Sequence, residues 1–166
     1  MDLFYGNVFK ALNKARVKYV VAGGVAVVLH GYMRVTGDLD LIVLLEQKNL
    51  EKFYDTLAKI GYIPKRPVTK EQFSDAKMRE QWKKDKGMIV FSFCHKKPPY
   101  QLIDMFVDEP IPFTEIYKQK TNVKAYGTAI PIIGIDHLVK LKRNAGRGKD
   151  LDDIVQLNAI KRIQQR

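Results

Sequence analysis

The sequence predicts an α+β fold: a small mixed β-sheet with helices packed on it, closed by two C-terminal helices. Three observations carry that expectation. Apolar residues recur at helical spacing near both ends of the chain. β-Branched and aromatic runs stand at 17–22, 38–45, 88–94 and 100–107. The last two runs are separated only by His95-Lys96-Lys97-Pro98-Pro99, so strands and helices do not alternate as a parallel βαβα sheet requires.

In chain order, Leu3, Phe4, Val8, Phe9 and Leu12 predict an amphipathic helix over 2–16. Val17 to Ala22 reads as a strand that stops at Gly23-Gly24. Val25 to His30 is apolar all round and predicts a short buried helix closed by Gly31. A second strand covers 38–45, and an amphipathic helix runs from Gln47 to Ile60 and ends at Gly61. Pro64 and Pro67 interrupt the chain beyond Gly61, leaving the charged stretch to Lys86 as a helix or long loop, with Trp82 an anchor to the core. After the strands 88–94 and 100–107, a short helix is expected over 113–118, and 122–126 with 129–133 form a hairpin around Gly127. Helices over 136–145 and about 150–163 finish the chain. In the second, Leu151, Ile154, Val155 and Leu157 lie near one face, Asp150 is a natural N-cap, and Asp152 and Asp153 fall in the first turn.

The 166 residues suit one domain, 1–166, and 46% hydrophobic with 28% charged residues argues against disorder. The longest uncharged stretch, Tyr19 to Met33, is too short to span a membrane and is interrupted by Gly23-Gly24 and His30. No charged leader with an apolar run opens the chain, and Cys94 is the sole cysteine. These features exclude a disulfide framework and a cysteine-rich zinc site, and a cytoplasmic protein without membrane partners is expected. Lone His30, His95 and His137 show no metal-ligand spacing, and Cys94 reads as a small buried hydrophobe.

Twenty-nine Lys and Arg against 18 Asp and Glu leave a net charge of +11, and the excess is clustered. Ten bases against four acids lie between Lys65 and Lys97; eight bases against four aspartates lie from Asp136 to Arg166. Such clusters suit a phosphate-rich partner, but a solvated face has the same composition.

The chemistry concentrates in Gly23-Gly24, Arg34, Thr36, Asp38-Leu39-Asp40 and Asp104. Residues two apart on a strand point to one face, so Asp38 and Asp40 project together. Two like charges at the mouth of a buried strand repel, and a divalent cation between them removes that cost. Asp104 interrupts the apolar run 102–107 and completes a three-carboxylate cluster if the two strands are neighbours. Asp108 shares its parity but stands at the strand end beside Glu109-Pro110, where solvent explains it. A strand entering a helix through Gly23-Gly24 presents backbone N–H groups to an anion. The dinucleotide fingerprint G-x-G-x-x-G and the Walker run are both absent.

Together these residues resemble the polymerase-β-like nucleotidyltransferase superfamily, in particular the small antibiotic nucleotidyltransferases and the abortive-infection type IV toxins. The tail Leu141-Lys142-Arg143-Asn144-Ala145-Gly146-Arg147-Gly148-Lys149-Asp150-Leu151-Asp152-Asp153-Ile154 is similar to the helical segment of those branches. The resemblance implies a Mg²⁺-dependent transfer of a nucleoside monophosphate from an NTP to an acceptor hydroxyl, releasing pyrophosphate. Asp38 and Asp40 would bind two Mg²⁺ ions, with Asp104 a third ligand and the base for the hydroxyl. Gly23, Gly24, Arg34, Thr36, Lys142, Arg147 and Asp150 would form the nucleotide side, Lys142 facing phosphates. Gly-Gly stands where the superfamily often has Gly-Ser, so a phosphate-contacting hydroxyl is missing there. The implied partners are an NTP, an RNA, protein or small-molecule acceptor, and, in the toxin branch, an antitoxin. Two other readings stay open: an inactive nucleotidyltransferase-like binding module, and a nucleic-acid-binding domain whose acids are structural.

Overall fold

A computed structural model describes residues 5–166. It contains a seven-stranded mixed sheet whose strands lie in the order 62–64, 90–95, 102–106, 39–43, 19–22, 128–132 and 121–125. Helix α1 (Gly6–Lys14) buries Val8, Phe9 and Leu12, as the spacing predicts; Leu3 and Phe4 lie outside the described residues. Strand β1 (Tyr19–Ala22) is buried on both faces and passes directly into α2 (Gly23–His30). Gly31, at φ +116°, closes α2 by donating its N–H to the last turn in the left-handed conformation that glycine adopts without a Cβ penalty. Strand β2 (Leu39–Val43) is antiparallel to β1, with Ala22 opposite Asp40.

Helix α3 (Gln47–Lys59) leads to a three-residue strand, β3 (Tyr62–Pro64), that the prolines concealed. Pro64 has no N–H to donate, which an edge strand tolerates. The charged stretch then resolves into two helices, α4 (Lys70–Ser74) and α5 (Ala76–Lys86), rather than one helix or a loop. Thr69 and Gln72 cap α4 reciprocally, and Asp75 accepts from Lys77 N–H to start α5. Trp82 stacks on Phe91 with centroids 5.3 Å apart, a core anchor as its setting predicts.

Strands β4 (Val90–His95) and β5 (Leu102–Phe106) are antiparallel, and β5 runs parallel to β2. Phe91, Phe93, Ile103 and Met105 point into a core shared with Phe53 of α3 and Phe73 of α4. Each such aromatic contributes about 1.5–3 kcal/mol by burial. The alternate residues Val90, Ser92, Cys94, Leu102, Asp104 and Phe106 are only half-buried on the opposite face. Cys94 is therefore not the fully buried hydrophobe expected.

Helix α6 (Phe113–Lys118) and the hairpin β6 (Thr121–Ala125) and β7 (Thr128–Ile132) match expectation, with β7 parallel to β1. Helices α7 (Ile135–Ala145) and α8 (Gly148–Gln164) pack together at the C-terminus. Here three local expectations fail. Asp150 is not the N-cap of α8: Arg147 occupies that position, and Asp150 at the third helical residue accepts from its N–H. Asp152 and Asp153 consequently lie beyond the first turn. Leu151 and Val155 are 65% and 60% exposed, and the buried face of α8 consists of Asp150, Asp153 and Leu157. Leu157 is fully buried and Ile154 packs against the core as expected, with the ion pairs of Asp150 and Asp153 beside them. No helix among the described residues is long and apolar enough to cross a membrane.

Candidate active site

The register of β2 and β5 determines the site. Asp40 stands opposite Asp104 on the neighbouring strand, and Ser92 of β4 stands opposite Asp104 in turn. Residues directly opposite across a ladder share a face, so Asp40, Asp104 and Ser92 form one row. Asp38 precedes β2, level with Leu102, and is exposed at the mouth of the same face. The Tyr5 hydroxyl ties this corner together, donating to the Gly37 carbonyl (2.6 Å) and lying 3.0 Å from that of Leu102.

Burial pushes the Asp40 carboxyl up to about 6, and the Asp104 and Asp38 charges add to the rise. Arg147 and Lys142 draw it partly back. Burial also raises Asp104, opposed by a 2.6 Å hydrogen bond from Ser92 Oγ; the Asp38 charge raises it and the Lys65 charge lowers it. Repulsion among three carboxylates is thus built into the site.

Gly23 begins α2 at φ +61°, pressed against this row: a Cβ there would lie 1.9 Å from Asp40 Oδ2. A Cβ on Gly24 would meet Thr36 Oγ1 at 2.5 Å and come within 3.5 Å of Arg34 Cζ. The predicted glycines, Arg34, Thr36 and the two strand acids are therefore one constellation. A hydroxyl, that of Thr36, lies where a side chain at position 24 would begin.

Lys142, Arg147 and Asp150 form the wall behind Asp40. Lys142 is buried, with Nζ 2.7 Å from Asp153 and 3.4 Å from Asp150. Arg147 Nε pairs with Asp150 at 2.8 Å, and Arg34 pairs with Asp153 at 2.6 Å. The loop from α2 is thereby bolted to α8, aided by the Tyr32 hydroxyl on Asp152 at 2.6 Å. Lys142 is engaged by these carboxylates; Arg147 keeps a 60% exposed side chain.

Sequence reasoning missed Ser92 and the buried ion-pair role of Asp153. The i, i+3 spacing of Asp150 and Asp153 was the available signal, since such residues share a helix face. Asp108 pairs with Lys83 at the strand end, away from Asp40. His30, His95 and His137 are each held locally, by the Ile133 carbonyl, the Lys97 backbone and Glu115.

Among the described residues, no three acidic, histidine or cysteine side chains are already gathered around a point that could hold a metal ion. Asp40 and Asp104 are nevertheless hard oxygen donors on adjacent strands, with Asp38 at the mouth. Mg²⁺ characteristically takes one or two carboxylates and completes its shell with water and phosphate oxygens. Gly23, without a Cβ, lets the Asp40 carboxylate lie against the start of α2, and this set of hard oxygen donors fits that ion.

The fold is shared with solved structures of low sequence identity. The lincosamide antibiotic adenylyltransferase LnuA, solved with lincomycin, matches with TM-score 0.62 and 18% identity, covering 95% of each chain. An antigenic nucleotidyltransferase-like protein from Paracoccidioides brasiliensis matches with TM-score 0.61 and 14% identity, covering 93% of this chain and 73% of that one. ANT(2″)-Ia, solved with adenylyl-2″-tobramycin, matches with TM-score 0.57 and 10% identity over 97% and 94% of the two chains. A search of the curated proteins finds no relative. Residues 3–166 match the family described as "Nucleotidyl transferase of unknown function" (DUF2204). The fold, the paired strand carboxylates and the glycine corner agree with that match, and the chain belongs to this nucleotidyltransferase family.

Proposed function

We propose that the chain, as one domain over 1–166, is a Mg²⁺-dependent enzyme that moves a nucleoside monophosphate from an NTP to an acceptor hydroxyl. The observation that supports it most is the Asp40–Asp104 pair on adjacent strands, with Gly23 packed against Asp40. Asp38 and Asp40 would hold the metal, with Asp104 a third ligand. When bound, the ion neutralises triphosphate charge and acidifies the acceptor hydroxyl.

The residues perform the remaining tasks. Gly23 and Gly24 admit the triphosphate close to the backbone at the start of α2, where N–H groups and the helix dipole favour anions. The Thr36 hydroxyl and the Arg34 guanidinium border that corner. Asp104, oriented by Ser92, accepts the proton of the acceptor hydroxyl. The acceptor oxygen bonds to the α-phosphorus as the bond to the β-phosphate bridging oxygen breaks, and pyrophosphate leaves with that electron pair. Arg147 is the exposed cation of the wall and meets the charge developing on the leaving group. Lys142 and Asp150 position Arg147 and α8, and Lys142 adds its field to the phosphates. A cytoplasmic toxin with an antitoxin partner is the setting in which we place this reaction.

Titration with Mg²⁺ and each nucleoside triphosphate tests the proposal. Metal-dependent binding of at least one NTP, abolished by Asp38→Ala with Asp40→Ala, is expected. Metal-independent binding untouched by those substitutions would instead indicate a binding module. Incubation of labelled triphosphates with total RNA and with cell extract then identifies the acceptor.

A further inference from the structure

The structure divides the middle basic cluster into two groups on opposite faces of the sheet. Helices α4 and α5 cover the face of Phe91 and Phe93, through Phe73 and Trp82. The exposed lysines of α5 (Lys77, Lys83, Lys84 and Lys86) therefore belong to the side away from Asp104. Lys83 and Lys84 are also engaged by Asp108 and Glu80.

Lys65 is placed differently. Its backbone N–H bonds to the Ser92 carbonyl, continuing the row Asp40–Asp104–Ser92 to the edge strand, and its charge acts on Asp104. Exposed Lys96 and Lys97 stand on the β4–β5 turn, at the Asp38 end of the same half-open face. Between these cations lie Ile63, 44% exposed, the half-buried Cys94 and Leu102, and Tyr100, 58% exposed. No acid occurs in 62–70 or 93–102. From Ser92 to His95 the strand alone extends about 10 Å before the turn, more than one phosphate group can bridge.

We propose that this half-open face of β3, β4 and β5 is the acceptor platform and takes the end of a single-stranded polynucleotide. Lys65, Lys96 and Lys97 contact its backbone, the apolar strip and Tyr100 receive its bases, and its terminal hydroxyl reaches Asp104. Cations spread along an aromatic and apolar strip are what single-strand binding uses. The assignment rests on the nucleotidyltransferase reading for the role of Asp104. Lys65 is a specificity-determining residue in it, and the α5 lysines have no part. A polycationic acceptor such as an aminoglycoside is repelled by the same charges.

The test measures fluorescence anisotropy of a labelled short oligouridylate against the full chain. Substituting Lys65→Gln, Lys96→Gln and Lys97→Gln together is expected to weaken binding about tenfold or more and to reduce the log–log salt slope by about 2. The matched triple Lys77→Gln, Lys84→Gln and Lys86→Gln is expected to change neither, and bound oligouridylate should slow modification of Cys94 by a thiol reagent. Equal losses in both triples, no loss in the platform triple, or unprotected Cys94 would overturn the assignment. Displacement by ribose 5-phosphate as effective as by unlabelled oligouridylate would also overturn it, in favour of a singly phosphorylated small acceptor. NTP binding measured alongside separates the two proposals: its absence from the unmodified protein defeats the enzyme reading, whereas intact NTP binding without oligouridylate binding defeats the platform alone.

Discussion

Asp40 Oδ2 occupies the space beside Gly23 so closely that a Cβ at position 23 would lie 1.9 Å from it. The first residue of α2 and the central acid of β2 are thus one steric unit, and the positive φ of Gly23 adds a backbone requirement to the spatial one.

Gly23→Ala is accordingly expected to displace Asp40 and to lower metal-dependent NTP binding by about tenfold or more, with a stability loss of roughly 2 kcal/mol or more. Gly31→Ala is the control. It shares the positive φ but has open space around its Cβ position, so it should cost stability alone. Calorimetric titration with NTP and thermal melting of both variants check this, and equal losses of binding would refute the steric account.

Asp40 confers a pH dependence whose sign is set by its raised carboxyl. The folded protein holds that proton up to about pH 6, whereas an unfolded chain releases it near 3.8. Ionisation thus destabilises the fold as pH rises through that window, and the penalty is complete above about 6. Without metal, Asp40→Asn should raise the melting temperature at pH 7.5 and leave it nearly unchanged at pH 4. Metal affinity has the opposite trend, falling about tenfold for each pH unit below 6 because the ligand must be ionised. Melting curves and Mg²⁺ titrations across pH 4–8 test both signs.

Removing the buried cation of the α7–α8 wall should be costly. Lys142→Met leaves Asp150 and Asp153 buried without their shared partner. A loss of about 3–5 kcal/mol is expected from urea denaturation. A loss below about 1 kcal/mol would mean that Arg34 and Arg147 suffice.

Ser92→Ala removes the hydrogen bond that opposes the rise of the Asp104 carboxyl. The acidic limb of the rate–pH profile should move to higher pH, with NTP affinity at pH 8 retained. An unchanged limb would show that Asp104 does not titrate in catalysis.

The local elements were legible because their signals are local. The helical spacing of 47–60, the closing Gly31 and the hairpin around Gly127 each depend on neighbouring residues alone. The acids Asp38 and Asp40 stood out because a strand of period two places them on one face. The Asp104 partnership was legible only conditionally, since nothing in the chain states which strands are neighbours. Strand β3 escaped notice because Pro64, a mark against strand, is tolerated at an edge.

What the sequence by itself determined is the set of elements and the chemical nature of the site: paired strand carboxylates, a glycine corner and a basic surround. Only the tertiary structure decided their relations. Pairing of β2 with β5 brought Asp104 beside Asp40; burial turned Asp150 and Asp153 from helix-end residues into the partners of Lys142 and Arg34. The sheet also separated the middle lysines, placing Lys65 in the carboxylate row and those of α5 behind it. The reason is physical. Propensity and periodicity act over a few residues, whereas desolvation and charge pairing depend on groups brought together from distant parts of the chain.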